Sequence, residues 1–202
     1  MNNQNNYFHS WTISIRITIV IALVLLLLIP TWIHYNKVLL AVQQNCTADW
    51  YVTGYSTPVE SDYNGSKLLV KVISHSSVVQ GREFYKSFLH DVKVEGWGRT
   101  LEGDYVGLDT NDKQWHSSPY PVGSTDGPLR PHNIAVDPNL IRIGQKLVIS
   151  TLPAPWNKIT LIAEDVGPDI KGKHIDVYTG EGKNAGEETF RITGHNNEVC
   201  TL

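Results

Sequence analysis

The chain has 202 residues, 41% hydrophobic and 18% charged, with 16 Gly and 10 Pro. That excludes a coiled coil, a collagen-like repeat and a wholly disordered chain. Two cysteines cannot build a four-thiolate zinc centre or a disulfide-dense miniprotein. A formal net charge of -3 lacks the basic surplus of a nucleic-acid binder, so no nucleic-acid partner is expected.

Charge is unevenly spread. Before Asp49 only Arg16 and Lys37 are charged, and 20 uncharged residues lie between them. At about 1.5 Å per residue, a helix over 17–36 crosses a hydrocarbon layer roughly 30 Å thick. Trp11, Trp32 and Tyr35 flank it, where amphipathic rings favour the membrane interface. No polar face exists to meet water, which argues against a helix of a globular core, and no small-x-small cleavage site follows. Residues 17–36 therefore read as an uncleaved transmembrane anchor behind a short cytoplasmic tip, 1–16, with a cleaved signal peptide as the competing reading. The expected product is a single-pass membrane protein whose soluble domain, 46–202, is extracytoplasmic. Cys46 and Cys200 bracket that domain. A disulfide between them suits an oxidising compartment; two unpaired thiols are the alternative.

From Cys46 onward, Gly and Pro punctuate short, β-branched apolar runs. Strands are predicted at 50–55, 67–74, 105–108, 133–136, 146–150, 159–164, 175–178, 190–193 and 199–202. Phe84, Phe88, Leu89 and Val92 recur at helical spacing, predicting a helix over 83–94. Residues 108–130 are polar and turn-rich and read as a long loop around Trp115. The class is an all-β barrel with one or two short helices. About 155 residues leave no room for a second domain.

The sequence has no G-x-S-x-G, H-E-x-x-H or Walker motif, and the eight histidines are not spaced to hold a metal. Three aspartates are more informative. Asp137 follows Ile134-Ala-Val136, Asp165 ends the run from Ile159, and Asp176 sits between Ile175 and Val177. Charged residues in such strands are disfavoured by propensity and desolvation. Each has a plainer reading as a turn cap or a partner of Lys171 or Lys173.

Three segments carry a resemblance. They are Ile134-Ala-Val-Asp-Pro-Asn-Leu-Ile-Arg-Ile-Gly144, Ala163-Glu-Asp-Val-Gly167 and Ile170-Lys-Gly-Lys-His-Ile-Asp-Val-Tyr178. With Val52-Thr-Gly-Tyr-Ser-Thr-Pro58 upstream, they resemble the three-aspartate (3D) domain, the catalytic barrel of the membrane-bound lytic transglycosylase A family. The resemblance implies a six-stranded double-psi β-barrel of the barwin and expansin type. It also implies cleavage of peptidoglycan, or another envelope polysaccharide, to a 1,6-anhydro sugar without metal or organic cofactor. Carried over by position, Asp165 is the acid/base, Asp176 its partner and Asp137 the third acid. The sequence departs from the family where Pro168-Asp169 replaces the usual glycine and alanine after the acid.

Such a reaction needs a carboxyl that holds its proton near neutrality, delivers it to the leaving oxygen and takes one back from the attacking 6-hydroxyl. Burial or a second carboxylate raises an Asp in that direction. Adjacent strand residues point to opposite faces, so Glu164 and Asp165 do not both face the cleft. Candidate glycan contacts are Thr53, Tyr55, Tyr105, Lys171 and His174 by hydrogen bonding, Trp97, Trp115 and Trp156 by stacking, and Gly167 by close backbone approach. Two other readings stay open: a non-catalytic expansin-like polysaccharide-binding module, and an ectodomain whose acids bind a cation.

Overall fold

One long strand, exposed at its start and alternating in burial from Trp50 to Thr53, organises the rest. In the computed structural model, which describes residues 45–74, 76–109 and 111–202, β1 (Asn45–Thr57) buries Trp50 and Val52. Its alternate residues Tyr51, Thr53 and Tyr55 lie on the opposite face. Five further strands complete a closed barrel. They are β7 (Asn133–Val136), β8 (Lys146–Ile149), β9 (Leu161–Asp165), β10 (His174–Glu181) and β11 (Gly194–Thr201). The order around the barrel is β1-β10-β7-β9-β8-β11. β1 runs parallel to β10 and β7 to β9; the other four pairings are antiparallel. Val52, Ile134, Val136, Leu147, Ile149, Leu161, Ala163, Ile175, Val177 and Val199 fill the interior. Cys46 and Cys200 face each other across β1 and β11 and form the disulfide.

Residues 45–202 form one compact unit, and a second wall is built within it. Between β1 and β7 the chain builds a five-stranded sheet from β2 (Lys67–Ile73), β3 (Val79–Tyr85), β4 (Trp97–Arg99), β5 (Tyr105–Leu108) and β6 (Trp115–Ser118). Its order is β3-β2-β6-β5-β4, and helix α1 (Lys86–Glu95) packs on one face. Val72, Phe84, Phe88, Leu89, Val92 and Val106 form a separate core there. The predicted helix starts three residues late: Phe84 belongs to β3 but points into the cluster α1 buries. β6 occupies the stretch read as a loop.

The strand predicted at 190–193 is also corrected. Those residues end helix α2 (Gly182–Ile192), with Phe190 84% exposed. A short apolar run does not separate strand from helix. Here Ala185 and Ile192 share the face that packs down, and Gly54 lets the helix approach β1. A Cβ on Gly54 would come within 2.8 Å of the Thr189 Cα.

Among the described residues no helix is long and apolar enough to cross a membrane. The predicted anchor at 17–36 and the tip at 1–16 lie outside the described residues.

Candidate active site

The outer face of the barrel carries the acids. Parallel pairing sets Tyr51 beside His174, Thr53 beside Asp176 and Tyr55 beside Tyr178. Across β10, Asp176 is level with Ala135 of β7, and Ala135 is level with Asp165 of β9. Four neighbouring strands thus present Asp165, Ala135, Asp176 and Thr53 in one row. The aspartates are two strands apart, about 10 Å between Cα atoms, over the small Ala135. The row exists because β7 and β9 slip register between Ile134 and Ala135. Strict alternation from the buried Ala163 would turn Glu164 to this face and Asp165 to the interior. The bulge at Glu164 re-aims Asp165 outward.

Opposite this row stand the end of α1 and the start of β4. Together they enclose a cleft of about 340 Å³ whose walls include Tyr55, Glu95, Trp97, Asp165, Gly167 and Asp176. It adjoins a larger hollow of about 700 Å³, reached past Trp97, Gly107, His116, Ser124 and Asp165. Trp97 pairs with Gly107, and a Cβ on Gly107 would meet the indole at 2.9 Å. The ring therefore lies over the glycine.

Asp165 is held on both oxygens. Oδ1 accepts from the Ser124 and Val166 backbone N–H groups at 2.9 Å, and Oδ2 accepts from the Tyr55 hydroxyl at 3.0 Å. Burial, reinforced by Asp165, pushes the Tyr55 phenol far above its ordinary range. Asp176 is held more lightly: among the described residues one donor reaches it, the Thr53 hydroxyl at 2.7 Å on Oδ1. Burial raises the Asp176 carboxyl above the usual carboxylate range. Asp165 adds to that, while Thr53 and His174 oppose it.

Glu95, absent from the sequence reading, adds its carboxyl to those of Asp165, Asp169 and Asp176 in the cleft lining. Burial raises it, the bond from the Ser56 backbone N–H (2.9 Å) opposes, and Asp176 adds to the rise. A signal existed. Glu95 ends α1 just before the Gly96 cap, and an acid there opposes the helix dipole.

The remaining expected residues divide. His174 Nε2 is 2.9 Å from the Thr53 oxygen, beside the row. Asp137 lies off the cleft walls. Its oxygens accept from the Asn139 backbone and side chain and from the Gly172 backbone N–H at 2.8 Å, which shapes the turn into β10. Those bonds hold its carboxyl below the usual range, Gly172 most of all, with Lys171 adding to the effect. Tyr105 donates to Glu181 at 2.6 Å, and Arg99 pairs with the same carboxylate, so this cluster joins the sheet to the barrel. The Tyr105 phenol is pushed up to about 12 by burial and by Glu181. Trp115 packs against the second core, and Trp156 sits in the barrel core with its Nε1–H donated to Glu188. Glu164 is absent from the cleft walls: its carboxylate accepts from the Asn133 side-chain amide of β7 at 2.6 Å and lines a separate hollow with Asn133 and Ile162.

Residues 132–199 match the family described as the 3D domain. The chain carries a 3D domain. That match spans β7 to β11, and with them Asp137, Asp165 and Asp176; β1 and the five-stranded sheet lie outside it. No curated protein is similar to the chain in sequence. Among solved structures, Escherichia coli MltA with bound chitohexaose superposes with a TM-score of 0.56 at 15% identity, covering 77% of this chain and 72% of that one. MltA from Neisseria gonorrhoeae gives 0.55 at 16% identity, over 78% and 72%. A further E. coli MltA structure, described as having a lytic transglycosylase fold, gives 0.51 at 16%, over 76% and 71%. At these identities the likeness is one of fold. It extends well beyond the 3D domain, into the chain that precedes it.

Proposed function

We propose that the cleft between barrel and sheet cleaves a polysaccharide by the lytic transglycosylase reaction, with Asp176 as the acid/base. The observation that carries this reading is the row on four adjacent strands, in which a half-buried aspartate with raised proton affinity faces an open, aromatic-walled cleft. The match to MltA folds, one of them holding chitohexaose, supports a glycan as the ligand. The two parallel pairings among six strands support a double-psi path for the barrel.

The assignment moves the proton from Asp165, favoured on sequence, to Asp176. Both Asp165 oxygens already accept bonds from three donors, so the group is built as an acceptor. Asp176 keeps Oδ2 for the substrate. Its carboxyl protonates the glycosidic oxygen as the bond breaks, and the sugar develops oxocarbenium character. Asp165, across Ala135, raises the proton affinity of Asp176 and sets negative charge near that centre. The Asp176 carboxylate then takes the proton of the attacking 6-hydroxyl, leaving a 1,6-anhydro end and the acid restored. Trp97 offers a ring face to a sugar. Each of these steps uses only side chains of the chain itself.

Peptidoglycan is the proposed substrate, and residues 17–36 the proposed membrane anchor holding the domain outside the cytoplasm. The Cys46–Cys200 disulfide supports an oxidising location. Purified glycan strands incubated with the protein should yield anhydro-ended fragments, identified by mass, and Asp176→Asn should yield none. Binding of glycan without cleavage by the wild type would overturn the reading in favour of a binding module.

A further inference from the structure

The Thr53 hydroxyl has one hydrogen and two partners. Asp176 Oδ1 lies 2.7 Å away and His174 Nε2 lies 2.9 Å away. An ionised carboxylate cannot donate, so with Asp176 charged the threonine hydrogen points to Oδ1 and the imidazole must supply Nε2–H. With Asp176 protonated, the directions reverse: its O–H is donated to Oγ1, and the threonine hydrogen goes to an Nε2 lone pair. The protonation state of the acid and that of the imidazole are therefore linked through a single hydroxyl.

We propose that His174 is a positioning residue whose imidazole, through Thr53, delivers and withdraws the Asp176 proton from the rim of the cleft. This rests on the reading that Asp176 is the acid/base. The step balances. A solvent proton binds His174 Nδ1, giving imidazolium. The Nε2–H proton passes to Thr53 Oγ1 as the threonine hydrogen passes to Asp176 Oδ1, where a carboxylate lone pair forms the new O–H bond. Nε2 keeps the electron pair of the broken N–H bond. The end state is a neutral imidazole protonated on Nδ1, an unchanged hydroxyl and a neutral acid, whose carboxyl turns about Cβ–Cγ to present the new O–H to the substrate. Each turnover hands Asp176 its proton back, so the path serves the acid that is ionised when a glycan fills the cleft and keeps water from it.

The strand pairing fixes the path. His174 and Asp176 are two apart on β10 and share a face, and Thr53 is level with Asp176 on β1. The ring environment holds the imidazole in place. Tyr51 of β1 lies 4.7 Å from the His174 ring, and His195 of β11 stacks on Tyr51 at 4.2 Å and 15°. Lys173, the neighbour on β10's approach, spends its ammonium on the Ala48 carbonyl at 2.9 Å. On the acid's side the facing groups are Asp165 from β9, Asp169 from the turn between β9 and β10, Glu95 from α1, Tyr55 from β1 and Tyr178 from β10 itself.

The test is a nuclear magnetic resonance titration of the full-length chain, following the His174 ring nitrogens and the Asp176 carboxyl carbon. In the wild type both signals should move at one shared midpoint, with Nε2 carrying the hydrogen above it. Thr53→Ser, which keeps the hydroxyl, should preserve the shared step. Thr53→Val should split it into two independent steps. On glycan strands, Thr53→Val should lower kcat at least tenfold with little change in KM, and Thr53→Ser should restore most of it. Independent midpoints in the wild type, or a shared step that survives Thr53→Val, would overturn the coupling whatever the enzyme does. A shared step in a protein that cleaves no glycan would leave the coupling standing and overturn the assignment of Asp176 as acid/base.

Discussion

The barrel and the sheet that covers it are built to different standards. Nearly every inward residue of the barrel is fully buried, and its two ends are joined by a disulfide. The covering sheet has a small core of six buried residues and exposes Leu68, Leu69, Val78 and Val79 on its β2–β3 hairpin. The acids divide along the same line. Asp165 and Asp176 come from barrel strands, whereas Glu95 and Trp97 come from the α1–β4 corner. A rigid frame fixes the distance between the acids; a lighter wall supplies a ring face and cover. Chemistry should therefore fail through barrel residues and binding through wall residues.

Asp176→Asn should show the largest effect, a loss of about 10³-fold or more in turnover, the scale of a lost general acid. Folding should not suffer. A carboxyl whose folded proton affinity is raised contributes stability at low pH that is lost as pH rises through its folded midpoint. The variant should therefore melt at or above the wild-type temperature at pH 7. Calorimetry beside the rate assay separates the two. A melting loss equal to the activity loss would reduce the row of acids to a structural feature.

Next in size is the disulfide. Cys46 and Cys200 are 154 positions apart, and in the chain-entropy model a link over so long a loop contributes on the order of 4–5 kcal/mol. Replacing both with Ser should lower the urea midpoint accordingly. Because the lost constraint lies on the barrel, cleavage at low temperature should persist while heat resistance collapses.

Two tryptophans of the sheet test the wall. Trp97→Ala should weaken glycan binding about tenfold, ~1.4 kcal/mol, with little loss of stability, because its ring lies over Gly107 at the cleft. Trp115→Ala should do the reverse, costing about 2 kcal/mol of stability through the second core with glycan binding kept. Calorimetric titration with glycan and thermal melting of both variants would settle it; equal effects on binding would place Trp115 on the cleft after all.

Legibility in the sequence follows the same division. Barrel strands such as 133–136 and 175–178 are β-branched and buried, and their runs announce them. β3 has Gly81 and Arg82 in mid-strand, β6 is Trp-His-Ser-Ser, and β4 is three residues long. None has a period to read: β3 and β4 are edge strands, which need no apolar alternation, and β6, central in the sheet, is half-buried at every residue. The three aspartates were visible as charges out of place, but their roles were not. Asp137 caps a turn, which local sequence cannot distinguish from lining a cleft. The direction of Asp165 depends on a bulge set by pairing with β7. Asp176 differs from Asp165 in its hydrogen-bond donors, one against three, and two of those on Asp165, Tyr55 and Ser124, come from far earlier in the chain.

The smallest expected effects are the sharpest, because they set a barrel neighbour of Asp176 against a wall neighbour. Asp165 raises the proton affinity of Asp176, so removing its charge should make Asp176 lose its proton sooner. In Asp165→Asn the alkaline limb of the rate profile should move to lower pH by less than about one unit, beneath whatever rate loss the substitution brings. With Glu95 the repulsion falls on the other partner: Asp176 raises Glu95, which holds its proton to higher pH. Glu95→Gln should then leave the alkaline limb nearly where it was. It should raise the melting temperature near neutrality, since a raised acid loses stability as pH climbs through its folded midpoint and the amide oxygen can still accept from Ser56. Rate profiles and melting curves of the two variants over the same pH range form the comparison. A limb that moves with Glu95→Gln and stays put with Asp165→Asn would transfer control of the acid from the barrel to its cover.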